Sequence, residues 1–246
     1  MIVICSYRKV DDMPVEAVRV GQPKIDNHTQ KQNKKVKVAS LVGSSIGIAA
    51  AVASIAQKAK KGEAPVKFSQ IEYHTKDILK LGAASVVGGL AGGVMTDKDS
   101  NKKAKLREAI HQFGGNILVP VSMLALNTKL LDRSGFKLPT FKSAGKAAKV
   151  ANRVLGGLPG VAVTIASLVT GMEIGNKIFN KISDKIFHEK EKREVKPSDY
   201  SAHIDDMCMA SSLIFKGPQV QQITNKLLPL SFLIAGFQTG THENGK

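Results

Sequence analysis

Four stretches of this chain contain no Asp, Glu, Lys or Arg over a length close to the thickness of a membrane. They are residues 38–57, 81–96, 109–128 and 154–172. The first, VASLVGSSIGIAAAVASIAQ, has twenty residues. A helix of that length is about 30 Å long, as is the hydrocarbon core of a bilayer. The pattern predicts membrane helices over about 38–57, 77–96, 111–131 and 154–175.

The composition of these stretches leaves a second fold open. All four are rich in Ala, Gly and Ser rather than Leu and Phe, so inserting each residue into lipid is only weakly favourable. A soluble helical bundle packed through small residues is therefore the alternative. No stretch alternates apolar and polar residues over the length of a strand, so both interpretations are all-α. We expect an all-α, multi-helix membrane bundle with small residues at the helix contacts.

Paired glycines mark the second stretch, residues 83–95, AASVVGGLAGGVM. A phosphate-binding loop needs Lys directly after its last glycine, and Val94 stands there. The four-residue spacing instead places the glycines in ridges along a helix, where small residues let two backbones approach closely. Similar spacing recurs in the first and fourth stretches. We expect helix packing at Gly43, Gly47, Gly88, Gly89, Gly92, Gly93, Gly156, Gly160, Gly171 and Gly175.

A basic amphipathic helix is predicted at the start of the segment 176–206, followed by a polar linker. Isoleucines recur every fourth residue beside a row of lysines. This pattern is typical of a helix that lies on an anionic membrane, and a helix that covers a protein core is the alternative. The residues expected at the membrane surface are Lys177, Ile178, Lys181, Ile182, Lys185 and Ile186.

The two ends of the chain look different from the middle. Residues 1–37 are polar and basic, which predicts a flexible tail; translation from Met13 instead of Met1 is compatible with the sequence. The apolar run at the N-terminus is too short for a cleavable signal peptide. Residues 207–246 hold two short apolar segments interrupted by Lys216-Gly217-Pro218, each too short to cross a bilayer alone.

The charge of the chain points to lipid more than to nucleic acid. The formal net charge is +16, and only six of the 36 basic residues are Arg, the better side chain for reading bases and phosphates. The chain lacks Trp and has few aromatic residues to serve as stacking platforms for bases. Two cysteines, Cys5 and Cys208, give neither a zinc pattern nor a disulfide framework. We expect the bilayer, with anionic lipid, as the partner, together with self-association.

One pair of residues has a spacing used by metal enzymes. Glu108 and His111 are three residues apart, as in di-iron helical bundles, but a second such motif is missing. We therefore expect no catalytic residue, metal or cofactor. The sequence predicts a multi-pass integral membrane protein with a non-catalytic role in helix assembly or membrane organisation. A soluble or peripheral protein that binds anionic membranes is the alternative, and a metal-dependent enzyme using Glu108 and His111 is the third hypothesis.

Overall fold

The structure, a computed structural model, describes residues 27–59, 71, 73–142, 145–188, 193–204 and 218–243. Within these residues the backbone forms helices and no strand, which confirms the all-α fold. The elements in chain order are α1 (Asn27–Ala59), α2 (Thr75–Thr96), α3 (Asp99–Ile110), a π-helical segment (His111–Leu118), α4 (Val119–Ser134), α5 (Lys146–Phe187), a 3₁₀ helix (Pro197–His203) and α6 (Pro218–Thr241). The elements from α3 to α4 form one continuous helix of changing pitch.

Helix α1 starts well before the position expected from its apolar run. The helix begins at Asn27, so the flexible tail predicted for residues 1–37 is wrong for residues 27–37. Its first turns are built from Gln, Lys and Asn, of which Gln and Lys favour helices, and neither Gly nor Pro interrupts them. Residues 1–26 lie outside the described part of the chain.

The C-terminal half also differs from the expected boundaries. Helix α5 runs without a break from Lys146 to Phe187, so the membrane helix and the amphipathic helix predicted on either side of residue 175 are one element. Helix α6 extends over 24 residues and contains the second short apolar segment in its interior. Its first residue is Pro218, which fits a helix start because the missing N–H has no helical partner there. The first short segment lies outside the described residues.

The helices pack as a triple of α1, α2 and α6 beside a pair formed by α4 and α5. In the triple, α1 runs antiparallel to α2, since Gly43 faces Gly88 and Gly47 faces Ala84. Helix α6 runs parallel to α2, since Gly89 faces Gly236 and Gly93 faces Gly240. Leu81, Ile117 and Phe232 are fully buried where the two groups meet.

The distribution of side chains is unusual for a protein in water. Large apolar residues lie on the outside, including Ile46 at 64% exposure, Val87 at 63% and Met95 at 84%. The interior holds nearly as many polar or charged residues as apolar ones. Four segments of the described chain are long and apolar enough to cross a membrane. They are Lys31–Lys58, Thr75–Thr96, Asp99–Ser134 and Lys146–Phe187.

Candidate functional site

The main polar feature of the structure is an ionic cluster in which Arg193 pairs with Glu108 and Asp199. Arg193 Nε and Nη2 donate to the two oxygens of Glu108 at 2.9 and 2.8 Å. Arg193 Nη1 and Nη2 donate to the two oxygens of Asp199 at 2.9 and 2.8 Å. Both carboxylates are buried. Burial alone would lower the pKa of Arg193, but hydrogen bonds and the charges of the two carboxylates hold that pKa above its usual range.

Three elements place this cluster. Glu108 lies in the last turn of α3, and Asp199 lies near the start of the 3₁₀ helix, where its Oδ2 also accepts the N–H of Lys196 at 2.8 Å. Asn180 of α5 holds the backbone of Arg193 through two hydrogen bonds, one to its N–H at 2.9 Å and one to its carbonyl at 3.0 Å. The segment that carries Arg193 is therefore fixed to the side of α5.

A series of hydrogen-bonded amide side chains extends from the ionic cluster into the bundle. Gln112 Nε2 donates to Glu108 Oε1 at 2.8 Å and to Gln238 Oε1 on α6 at 2.9 Å. Asn116 Nδ2 donates to Gln112 Oε1 at 3.2 Å, and Asn176 Nδ2 on α5 donates to Asn116 Oδ1 at 3.1 Å. These bonds connect α6, the π-helical segment and α5. Each amide of this series thus has a partner, as the cost of burying polar groups requires.

The π-helical segment ends two residues before Pro120, which lies in the first turn of α4. Proline has no N–H, so the carbonyl of Asn116, four residues earlier, lacks its usual helical donor. A ring nitrogen of His203 lies 2.6 Å from that carbonyl oxygen. The N–H of Val119 bonds five residues back, to the carbonyl of Gly114. The proline therefore changes the pitch of the helix without ending it, and the freed carbonyl becomes an anchor for the 3₁₀ helix.

A second buried charge, Lys105, closes the C-terminal end of α6. Its Nζ lies 2.8 Å from Asp97 Oδ2 and donates to the carbonyls of Gly240 at 2.6 Å and His242 at 2.9 Å. A cation at this position also complements the helix dipole. Burial would raise the pKa of Asp97, but hydrogen bonds, the largest from Lys105, hold it below its usual value. Burial lowers the pKa of His242, opposed by the carboxylate of Glu108, 3.9 Å from its ring.

The structure does not bring Glu108 and His111 together as a metal site. Both Glu108 oxygens are engaged by Arg193. The His111 side chain is only 1% exposed, yet neither of its ring nitrogens has a hydrogen-bond partner among the described residues. Within the described residues, no group of three or more His, Cys, Asp or Glu side chains is placed to hold a metal ion. The arrangement around Glu108 fits an ion pair better than a metal.

The predicted glycines of α1 and α2 lie opposite each other. A Cβ placed on Gly43 would be 2.2 Å from the carbonyl oxygen of Gly88, and one on Gly88 would be 2.2 Å from that of Gly43. Gly47 and Gly92 face the carbonyls of Ala84 and Ala39 in the same way, at 2.1 Å. Because a Cβ takes the place of an α-hydrogen, these distances describe Cα–H groups that point at carbonyls across the contact.

The other two glycines of α2 form the neighbouring ridge, and that ridge meets α6. A Cβ on Gly89 would lie 1.9 Å from the carbonyl oxygen of Gly236, and one on Gly93 would lie 2.2 Å from that of Gly240. Helix α2 thus contacts α1 through one glycine ridge and α6 through the other. Gly236 and Gly240 were missed by the sequence analysis, although their own four-residue spacing is the signal that identifies them.

The glycines of α5 divide into two groups. A Cβ on Gly175 would lie 2.3 Å from the carbonyl oxygen of Gly115, and one on Gly171 would lie 2.6 Å from the Cα of Pro120. A Cβ on Gly156 would have no atom of the described residues within 4 Å. The carbonyl of Gly160 accepts a hydrogen bond from Thr164 within α5, at 2.9 Å. The close contacts of α5 therefore lie in its second half.

The basic amphipathic pattern of α5 lies on the outside of the bundle. Its isoleucines and lysines are all exposed, with Ile178 at 43% and Ile182 at 37%. The inward face of the same helix carries Asn176, Ser183 and Phe187. The isoleucine stripe therefore covers no core within the described residues. It remains available to a membrane or another partner.

Arg193, Asp199 and Lys105 were missed by the sequence analysis because each lies in a lysine-rich stretch without apolar periodicity. The signal that was present is the series Glu108, Gln112 and Asn116, which recurs every four residues within an otherwise apolar helix. Comparison with protein families, with curated proteins and with solved structures found no match for this chain.

Proposed function

We propose that this chain is a multi-pass membrane protein whose role is non-catalytic, namely to hold helices together in the bilayer and to organise the membrane around them. The observation that carries this proposal is the reversed distribution of side chains. Ile46, Val87 and Met95 point outward from helices long enough to cross a bilayer, while glycines, serines and the ionic cluster point inward. In water this arrangement would leave large apolar side chains unprotected.

The inward faces suit packing in lipid. Lipid chains are as apolar as the side chains they surround, so helices there associate through close backbone approach and polar contacts. Both features occur in this bundle, the first at the glycines of α2 and the second at Arg193. Arg193 pairs with two carboxylates that would otherwise be costly to bury. Because its donors are engaged within the protein, the cluster supports a structural role better than one in substrate binding.

A peripheral protein on an anionic membrane is the second candidate, favoured by the length and charge of α5. Its 42 residues extend over about 63 Å, roughly twice the thickness of the hydrocarbon core. Its uncharged run is also displaced along the bundle, since Gly171 near the end of that run lies beside Pro120 in the middle of the neighbouring run. The exposed lysines and isoleucines around Lys181 therefore lie beyond Gly175, beside the part of the neighbouring helix that precedes Gly115. An exposed amphipathic face of this kind is expected for a helix that lies on a membrane surface.

Extraction of membranes with alkaline carbonate and with high salt tests the proposal. An integral protein stays in the membrane pellet through both treatments and requires detergent for release. A peripheral protein is released because its attachment is electrostatic and screened by salt. Recovery of the chain in the soluble fraction without detergent would refute the integral membrane role and favour the second candidate.

A further inference from the structure

Two apolar grooves flank α1, one on each side. The α1–α2 groove has a volume of about 730 Å³ and is lined by residues such as Gly47, Ala50 and Val87. The α1–α6 groove has a volume of about 670 Å³ and is lined by residues such as Ala49 and Leu233. Both volumes lie within the range of pockets that take small ligands. The linings are almost entirely apolar, which suits a hydrocarbon chain.

Each groove has a single charged residue among its described lining residues, and in both that residue is a lysine. Lys80 belongs to the α1–α2 groove, where its ammonium donates to the hydroxyl of Ser54 on α1. Lys226 belongs to the α1–α6 groove, and its side chain is exposed. A lone cation beside an apolar groove matches a ligand with one anionic group and a hydrocarbon chain.

The two lysines lie at the same height along the bundle. Helices α2 and α6 are parallel, and Gly89 faces Gly236. Nine residues before this contact on each helix, Lys80 of α2 lies beside residue 227 of α6, the neighbour of Lys226. The backbone positions of the two lysines therefore lie at one level, and their side chains line the grooves on opposite sides of α1.

That level is close to the end of the apolar run of α1. Ser54, the partner of Lys80, is three residues before the end of run 38–57, about 5 Å along the helix axis. This is the depth at which lysines reach lipid phosphates from just inside the hydrocarbon core. The α1–α2 groove extends from Lys80 to Met95 on the same helix, about 22 Å. That distance exceeds half the hydrocarbon thickness, so it has room for an acyl chain.

We propose that the two grooves bind two anionic phospholipids of one leaflet, with the phosphates at Lys80 and Lys226 and one acyl chain of each along α1. This inference rests on the proposed membrane location. The net charge of +16 also favours anionic over zwitterionic lipid, because it attracts the negative headgroups. A helix of a second copy of the chain is the other occupant that such a groove would accept.

Native mass spectrometry of the detergent-purified full chain tests the sites with added phosphatidylglycerol or phosphatidylcholine. We expect two molecules of phosphatidylglycerol to bind more tightly than phosphatidylcholine. Lys80→Gln and Lys226→Gln should each weaken one of the two binding steps about fivefold. Lys129→Gln, at an exposed position of α4 away from both grooves, is the matched control and should bind as the wild type does.

A second variant separates the acyl chain from the headgroup. Ala50 is exposed and lines the α1–α2 groove, so Ala50→Phe fills the groove without entering the helix contacts. It should remove one bound lipid although Lys80 is intact, and inorganic phosphate should not compete. Equal binding of both lipids, or unchanged binding in the lysine variants, would overturn the proposal. A dimer without bound lipid would assign the groove to a second copy.

Carbonate extraction of the same cells distinguishes failure of the lipid sites from failure of the proposed function. A chain that stays in the membrane pellet but shows no preference for phosphatidylglycerol refutes the lipid sites alone. A chain recovered in the soluble fraction refutes the membrane location and the lipid sites together.

Discussion

Replacing Gly89 by Ala tests the contact between α2 and α6 most directly. The added Cβ would lie 1.9 Å from the carbonyl oxygen of Gly236 and 2.6 Å from the hydroxyl of Ser44. The carbonyl belongs to the backbone and has no rotamer that avoids the clash. Bringing the first distance to 3.0 Å, the lower limit for real contacts, requires the two helices to separate by about 1.1 Å.

The expected loss of stability follows from that displacement. A gap of up to 1 Å removes a quarter to a half of the dispersion energy of each atom pair across it, and overpacked sites of this kind typically cost about 1–3 kcal/mol. Alanine recovers up to about 1 kcal/mol through its higher helix propensity. We expect Gly89→Ala to lower the free energy of unfolding by about 1–2 kcal/mol.

Gly156→Ala is the matched control, because Gly156 is also a helix-interior glycine but no atom in the described ranges lies within 4 Å of the new methyl group. It should gain up to about 1 kcal/mol from helix propensity alone. The two variants therefore differ in sign, which is measurable as opposite shifts of the unfolding midpoint by circular dichroism in one detergent. If Gly89→Ala proves as stable as the wild type while the control gains stability, α2 and α6 are not in contact at this point.

Three further perturbations address the polar groups. Arg193→Met leaves two buried carboxylates without their ion-pair partner and should lower the free energy of unfolding by about 3–5 kcal/mol. Arg133→Met, at an exposed position, is the control and should change the free energy of unfolding by less than about 0.5 kcal/mol. Equal unfolding midpoints for the two variants would contradict the pairing. His111→Leu removes two buried ring nitrogens that have no partner in the described part of the chain, and it should stabilise the protein by about 1 kcal/mol in the same assay. A lower midpoint would show that the ring has a partner. The folded pKa of Asp97 is depressed, so its contribution to stability is present above the unfolded pKa of about 3.9 and is lost as the pH falls through the folded value. Asp97→Asn should accordingly be less stable than the wild type at pH 7, and a deficit that failed to shrink below about pH 4 would refute the assignment.

The helical fold was predictable because uncharged runs of membrane length need no knowledge of tertiary contacts. The ends of the helices were not, since they depend on what stops a helix rather than on what makes it apolar. Gln and Lys between residues 27 and 37 extend α1 without any apolar signal. Pro218 suggested a break, but proline is equally compatible with the first turn of a helix, where it lies here.

The sequence predicts which side of each helix carries the glycines, but it does not predict which helix that side contacts. A four-residue spacing places Gly88 and Gly92 on one side of a helix, yet it does not say which helix they meet. The ionic cluster was less accessible still, because Arg193 comes from a segment without periodicity. Its partners are 85 residues earlier and six residues later in the chain. Only the fold brings those three groups together.

The polar contacts supply what the glycine ridges cannot, namely the register between helices. Small residues that repeat every four positions fit almost as well after a slide of one turn, so the ridges on α1 and α2 set the distance between the helices but only weakly their relative height. Hydrogen bonds near the two ends of that contact, from Lys80 to Ser54 and from Gln32 to the carbonyl of Thr96, exist in one register alone.

The same division of roles applies to α6. Gly236 and Gly240 allow it to approach α2, while Lys105 binds the carbonyl of Gly240 and Gln112 binds Gln238. A slide of one turn, about 5.4 Å, would move both acceptors out of hydrogen-bond range and leave the buried Lys105 ammonium with Asp97 alone of its three partners. Buried polar groups are known to specify register in helical assemblies even where they add little stability. In this bundle they select one arrangement among the several that the glycines would permit.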